Sequence, residues 1–143
     1  MQPTLVYRIG AWSWIICGTG HNILDIAMRL SPTVGEDRVD AVLRDQVFDL
    51  GGISRTSYDV MQGISLAMGV AIVTVGVLLL YIGRLAPTAG RARPAVLIGL
   101  VASLVMLGLA GALLPSPPIV LFAVASVAFG IALMRGGRAA ATG

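Results

Sequence analysis

The sequence predicts an all-α integral membrane protein, a four-helix bundle with a short amphipathic interfacial helix between the first and second spans. Three observations carry that prediction. Of the 143 residues, 57% are apolar and only 12% charged, and the mean hydropathy is +0.89, a balance that a soluble domain of this size does not show. Four apolar stretches, at about 5–28, 58–83, 95–114 and 117–134, are each long enough to cross roughly 30 Å of hydrocarbon at 1.5 Å per residue. The last two are joined only by Pro115, Ser116, Pro117 and Pro118, which cannot continue a helix and suit a tight turn between antiparallel neighbours. Residues 1–143 read as a single membrane domain that ends in a flexible tail at 136–143.

The first stretch is N-terminal and apolar, as a secretory signal would be. It has no basic run before its apolar core, carries His21, Asn22 and Asp25, and lacks a small-residue cleavage site, so it reads as a mature helix. Cys17 is the single cysteine and therefore a small packing residue, with neither an intrachain disulfide nor dithiol chemistry open to it. His21 and Asp25 lie one helical turn apart. Ionisable groups at membrane depth are retained where they face the protein interior, a wet cavity or a partner, which makes this pair the best pointer to a site. The plain alternative is a local bond from i to i+4, with Arg29 continuing the ladder.

Between the first two spans, Thr33-Val34-Gly35-Glu36 has the spacing of a capping box. Val39, Val42, Leu43, Val47 and Leu50 then recur at helical spacing until Gly51-Gly52. A helix over about Glu36–Leu50 is expected, lying along the extracytoplasmic interface with its apolar side on lipid or on the bundle. It could serve as a lid, which brings Gln46 and Asp49 into consideration.

The second span opens through Ser57-Tyr58-Asp59-Val60-Met61-Gln62-Gly63, with Asp59 and Gln62 on one face. Counted from Arg8, His21 lies about 20 Å and Asp25 about 25 Å along the first helix, so both helices bring polar groups to a similar, shallow depth. Trp14, Gly18, His21 and Asp25 form a stripe at steps of three and four that leads into an apolar region. That is the outline of a pocket for a lipophilic molecule with its reactive end near the membrane surface. Asp25 or Asp59 is the candidate acid, since a carboxylic acid in an apolar site can deliver a proton at neutral pH, and His21 is its partner or the returning base. Asn22 and Gln62 would orient the polar end, and Trp14 and Tyr58 could face a carbocation. Arg55 and Asp49 complete the substrate-binding candidates. Asp59 has a plain alternative as complement to the helix dipole, and Arg55 as a headgroup contact.

The third and fourth spans carry little chemistry. Gly99 with Ser103, Gly108 with Ala112 and Ser126 with Gly130 are small pairs four apart, suited to close packing within the bundle or against a second copy or a partner membrane protein. No nucleotide loop, zinc-protease motif, serine-hydrolase elbow or cysteine cluster occurs, and neither a metal nor a cofactor is expected. Ten arginines and no lysine set the orientation. Arg8, Arg84, Arg91, Arg93, Arg135 and Arg138 fall on one side, while Arg29, Arg38, Arg44 and Arg55 share the other with five acids between Glu36 and Asp49. The positive-inside rule puts both termini in the cytoplasm. The pI near 9.8 then reflects flanks meeting anionic membrane lipid, not nucleic acid.

At Arg55-Thr56-Ser57-Tyr58-Asp59, with Gly20-His21 upstream, the chain resembles a family of small bacterial four-span membrane proteins that has no settled reaction. The resemblance covers about the first 85 residues and implies that His21, Arg55 and Asp59 share a site. The helical plan with acidic groups near one face is similar, more distantly, to integral-membrane sterol isomerases and membrane-bound terpene cyclases. The leading functional expectation is an intramembrane acid-base enzyme that isomerises an isoprenoid or other lipophilic small molecule, or cyclises it through protonation; the paucity of deep aromatics counts against cyclisation. The alternatives are a non-catalytic accessory subunit or lipid-binding protein, and a proton-coupled transporter or channel.

Overall fold

A computed structural model describes residues 5–30, 36–86 and 89–141. Five helices and one hairpin follow in the order α1 (Leu5–Leu30), α2 (Glu36–Asp45), β1 (Val47–Leu50), β2 (Ile53–Thr56), α3 (Ser57–Leu85), α4 (Ala89–Leu113) and α5 (Ser116–Ala141). Among the described residues three segments, Ser57–Leu85, Ala92–Leu113 and Ser116–Arg135, are helices long and apolar enough to cross a membrane. α1 is of similar length but more polar, because two tryptophans, His21, Asn22 and Asp25 dilute its aliphatic residues. The chain divides into two compact units: Met1–Cys17 with Ile72–Gly143, here the bundle unit, and Gly18–Ala71, the loop unit.

In the bundle unit, small residues let helices close on aromatic rings. A Cβ on Gly10 would lie 2.8 Å from the Phe129 ring and one on Gly99 3.0 Å from it, so α1 and α4 both meet α5 there. Gly99 and Phe129 are nearly equidistant from the Leu114-Pro115 link, which makes α4 and α5 antiparallel. On α3, Gly83 receives the Tyr7 ring, and Gly76 packs against Ile15 and the Ala11 carbonyl, so α1 runs antiparallel to this part of α3. Phe122 and Phe129 are fully buried. Each meets an aromatic of α1 edge to face, Trp14 on Phe122 at 5.1 Å and Tyr7 on Phe129 at 5.5 Å, pairs worth about 0.5–1.5 kcal/mol each beyond area burial.

Polar groups in this core satisfy one another, as hydrocarbon requires. The Tyr7 hydroxyl donates to the Leu79 carbonyl at 2.7 Å, Trp14 Nε1 to Ser103 Oγ at 2.9 Å, and Ser103 onward to the Gly99 carbonyl at 2.7 Å. Ser126 turns back onto the Phe122 carbonyl at 2.8 Å. Among the small-residue pairs, Gly99 and Ser103 pack inside, while a Cβ on Gly108 would meet nothing within 4 Å.

The α4–α5 link is shorter than the four-residue turn expected. It is Leu114-Pro115 alone, with the Leu114 amide still bonded to the Ala110 carbonyl at 2.9 Å, and Ser116, Pro117 and Pro118 open α5. Proline is tolerated there because first-turn amides have no intrahelical partner. At its far end α5 continues to Ala141, so residues 136–141, read as tail, are helical.

In the loop unit the expected helix over Glu36–Leu50 is corrected. α2 stops at Asp45, and Val47–Leu50 pair antiparallel with Ile53–Thr56 in the register Val47 to Thr56 through Leu50 to Ile53. Gly51 and Gly52, with φ of 64° and 84°, supply the two left-handed positions of a two-residue hairpin turn, and Asp49 Oδ1 accepts the Gly52 amide at 2.9 Å. β-Branched and aromatic Val47-Phe48 beside such a turn favours strand over a continued helix. The capping box at Thr33–Glu36 begins outside the described residues.

The start of α3 is fixed twice over. Thr56 and Asp59 form a reciprocal cap: the Asp59 amide donates to Thr56 Oγ1 at 3.1 Å, and Asp59 Oδ2 accepts the Thr56 hydroxyl at 2.8 Å and its amide at 3.3 Å. Gln46, between α2 and β1, takes the Ser57 amide on its carbonyl at 2.8 Å and the Ser57 hydroxyl on Oε1 at 3.2 Å. The Arg44 guanidinium stacks 3.8 Å above the Tyr58 ring.

Candidate functional site: a polar seam between α1 and α3

Within the loop unit, α1 presents His21, Asn22, Asp25 and Arg29 to α3, at the steps of three and four that define one helix face. Opposite them stand Gln62, Ser65 and Gly69, in reverse order because the helices are antiparallel here. Each Asp25 oxygen has a partner. Its Oδ2 takes Arg29 NH2 at 2.8 Å, and its Oδ1 takes the Ser65 hydroxyl at 3.1 Å. Arg29 also donates to the Gln62 carbonyl at 3.4 Å. The pair is 17% exposed at Asp25 and 29% at Arg29, so its charges cancel in a partly desolvated place, where an unmatched one would be costly.

His21 joins through Ser65, not through Asp25 directly. Its Nε2 lies 3.1 Å from both the Ser65 carbonyl and Ser65 Oγ. A carbonyl only accepts, so Nε2 carries a proton, and the Ser65 hydroxyl spends its own on Asp25. The result is a relay from imidazole to hydroxyl to carboxylate to guanidinium across two helices. Ser65 holds it together, and Ser65 escaped the sequence reading. The signal available was its place three residues after Gln62, on the same face of α3.

Three buried atoms on this seam have no hydrogen-bond partner among the described residues: Asn22 Oδ1, Arg29 Nε and Gln62 Oε1. Buried polar atoms are nearly always bonded, and three on one seam mark a place where a polar group belongs. Asn22 also fixes Gly69, since any Cβ there would collide with the Asn22 amide.

The structure therefore gathers His21, Asn22, Asp25 and Gln62 and leaves the other candidates elsewhere. Asp59 is exposed and serves the α3 cap. Arg55, expected to share a site with His21 and Asp59, is exposed on β2 opposite Phe48. Tyr58 lies under Arg44, and Asp49 holds the hairpin turn. Trp14, expected as a pocket wall, is instead packed on Phe122 and bonded to Ser103 in the bundle unit; an indole with a buried N–H needs a partner, and Ser103 supplies it. Among the described residues no group of three or more His, Cys, Asp or Glu is placed to hold a metal ion.

No known protein family, curated protein or solved structure matches the chain.

Proposed function

We propose that this is a four-span protein of a bacterial inner membrane that binds the polar end of a lipophilic small molecule on the α1–α3 seam. The observation that carries the reading is the trio of unpartnered atoms on Asn22, Arg29 and Gln62, set around an ion pair whose charges already cancel. Arg29 Nε can only donate, whereas the two side-chain amides offer an acceptor or, turned over, a donor. A hydroxyl meets both demands. The ligand class that fits best is a lipophilic alcohol, isoprenoid alcohols among them.

α1 completes the four spans in this reading. It is 26 residues long, about 39 Å by the rise per residue; its polar face is turned to α3, and Leu5, Ile9, Trp12, Ile16 and Ile23 are exposed on the outside. The end of the bundle unit that bears only arginines is placed in the cytoplasm.

Acid-base isomerisation of the same ligand is the second reading, favoured by the His21–Ser65–Asp25 relay. In it His21 exchanges the proton, since Asp25 is ion-paired with Arg29 and Asp59 caps α3. Cyclisation is not favoured by Tyr58, which lies under the Arg44 guanidinium.

The test is mass spectrometry of lipophilic molecules that co-purify with wild-type protein and with Asn22→Leu and Gln62→Leu. A hydroxyl-bearing compound held by the wild type and lost from both variants supports binding. Bulk phospholipid alone, the same from all three, contradicts it.

A further inference from the structure

A separate feature lies on the outer face of α1 in the bundle unit. Leu5, Arg8, Ile9, Trp12, Ser13 and Ile16 line an open cavity of about 390 Å³, within the range that holds small ligands. Its lining is graded. Arg8 is exposed near the start of α1, Trp12 is half exposed one turn on, and Leu5, Ile9 and Ile16 make the rest apolar, with the Ser13 hydroxyl turned back onto the Ile9 carbonyl at 3.0 Å. Ile16 lies about 12 Å along the helix from Arg8, so the groove offers a cation and then a strip of apolar surface.

The electrostatics of this unit choose the occupant. It holds six of the ten arginines and none of the seven acids, all of which fall within Gly18–Ala71. The contacts of Tyr7 with Gly83 and Phe129, and of Gly99 with Phe129, bring the start of α1, the end of α3, the start of α4 and the far part of α5 to one end. Arg8, Arg84, Arg93 and Arg135 are therefore together there, all exposed. Among the described residues, the ion pair of the molecule is Asp25 with Arg29, in the other unit.

We infer that the α1 groove is a site for one anionic phospholipid, with its phosphate on Arg8, its glycerol region beside the Trp12 indole, and an acyl chain along Ile9 and Ile16. Arginine gives phosphate a planar, multiply donating partner, and a half-exposed tryptophan suits the headgroup boundary. The inference rests on α1 lying in the bilayer and not on the seam's ligand.

Trp12 fluorescence tests it, with a Trp12→Phe variant supplying the background from buried Trp14. The protein is placed in phosphatidylcholine vesicles that contain a minor fraction of either phosphatidylglycerol or phosphatidylcholine brominated on the acyl chains. Brominated phosphatidylglycerol is expected to quench Trp12 about fivefold more effectively, the enrichment one near-surface arginine gives, and Arg8→Gln should level the two while Arg8→Lys keeps most of the preference. Equal quenching by the two lipids in the wild type overturns the site and leaves α1 in the bilayer. Quenching by neither overturns it differently, with the groove covered by protein or α1 outside the bilayer.

Discussion

The two units treat polar groups in opposite ways. In the bundle unit every buried hydroxyl among the described residues and the buried indole has a partner, and no acidic residue is present. In the loop unit all seven acids are found, one is ion-paired within α1 on the face turned to α3, and three buried polar atoms are left open among the described residues. A membrane core tolerates polar groups that close on themselves, whereas open ones are expensive and are kept for a purpose. In the proposed reading the bundle unit is scaffold and the seam is site. Changes in the first should cost stability, and changes in the second should cost binding out of proportion to stability.

The largest effect is expected from Phe129→Ala, which empties the space where Gly10, Gly99 and Tyr7 converge. The loss should be about 3–5 kcal/mol, read as a large drop in thermal unfolding temperature in detergent. Asp25→Asn comes next, at about 2 kcal/mol, less than the 3–5 for a wholly buried pair because both side chains keep some exposure. The double variant Asp25→Leu with Arg29→Met sharpens the comparison. It should recover most of that loss, since two matched charges are exchanged for apolar groups, yet stay deficient in ligand retention.

Trp14→Phe removes one interhelical bond, and about 0.6–1.7 kcal/mol is expected in unfolding experiments, with ligand retention unchanged; a lost ligand would blur the division between the units. Smallest is Arg44→Gln, which removes the cation above Tyr58 at an exposed position. It should cost about 0.5–1 kcal/mol, visible as faster amide exchange around Ser57 while the bundle unit keeps its protection.

Much of the fold was legible in the sequence because hydrocarbon leaves few options. Apolar stretches of spanning length became α3, α4 and α5, and Pro115 stands in the link between the last two. The hairpin was hidden because Val39, Val42, Leu43, Val47 and Leu50 also fit a helical period, and Gly51-Gly52 stops a helix as readily as it turns a hairpin. Within the site, His21 and Asp25 stood out as ionisable groups in an apolar run. Ser65 did not, because a lone serine in a long apolar helix looks the same whether it faces a neighbour or bonds its own backbone. Asp59 misled for a related reason: a carboxylate in the first turn of a helix fits a cap and a catalytic acid equally well until its partner, Thr56, is seen.

The most direct test of the division between scaffold and site is photolabelling with a diazirine-bearing isoprenoid alcohol, mapped by peptide mass spectrometry. The account predicts label concentrated on residues 21–29 and 62–69, competed away by the unmodified alcohol and lost in Gln62→Leu. Label spread along α4 and α5, or insensitive to competitor and to Gln62→Leu, would contradict it.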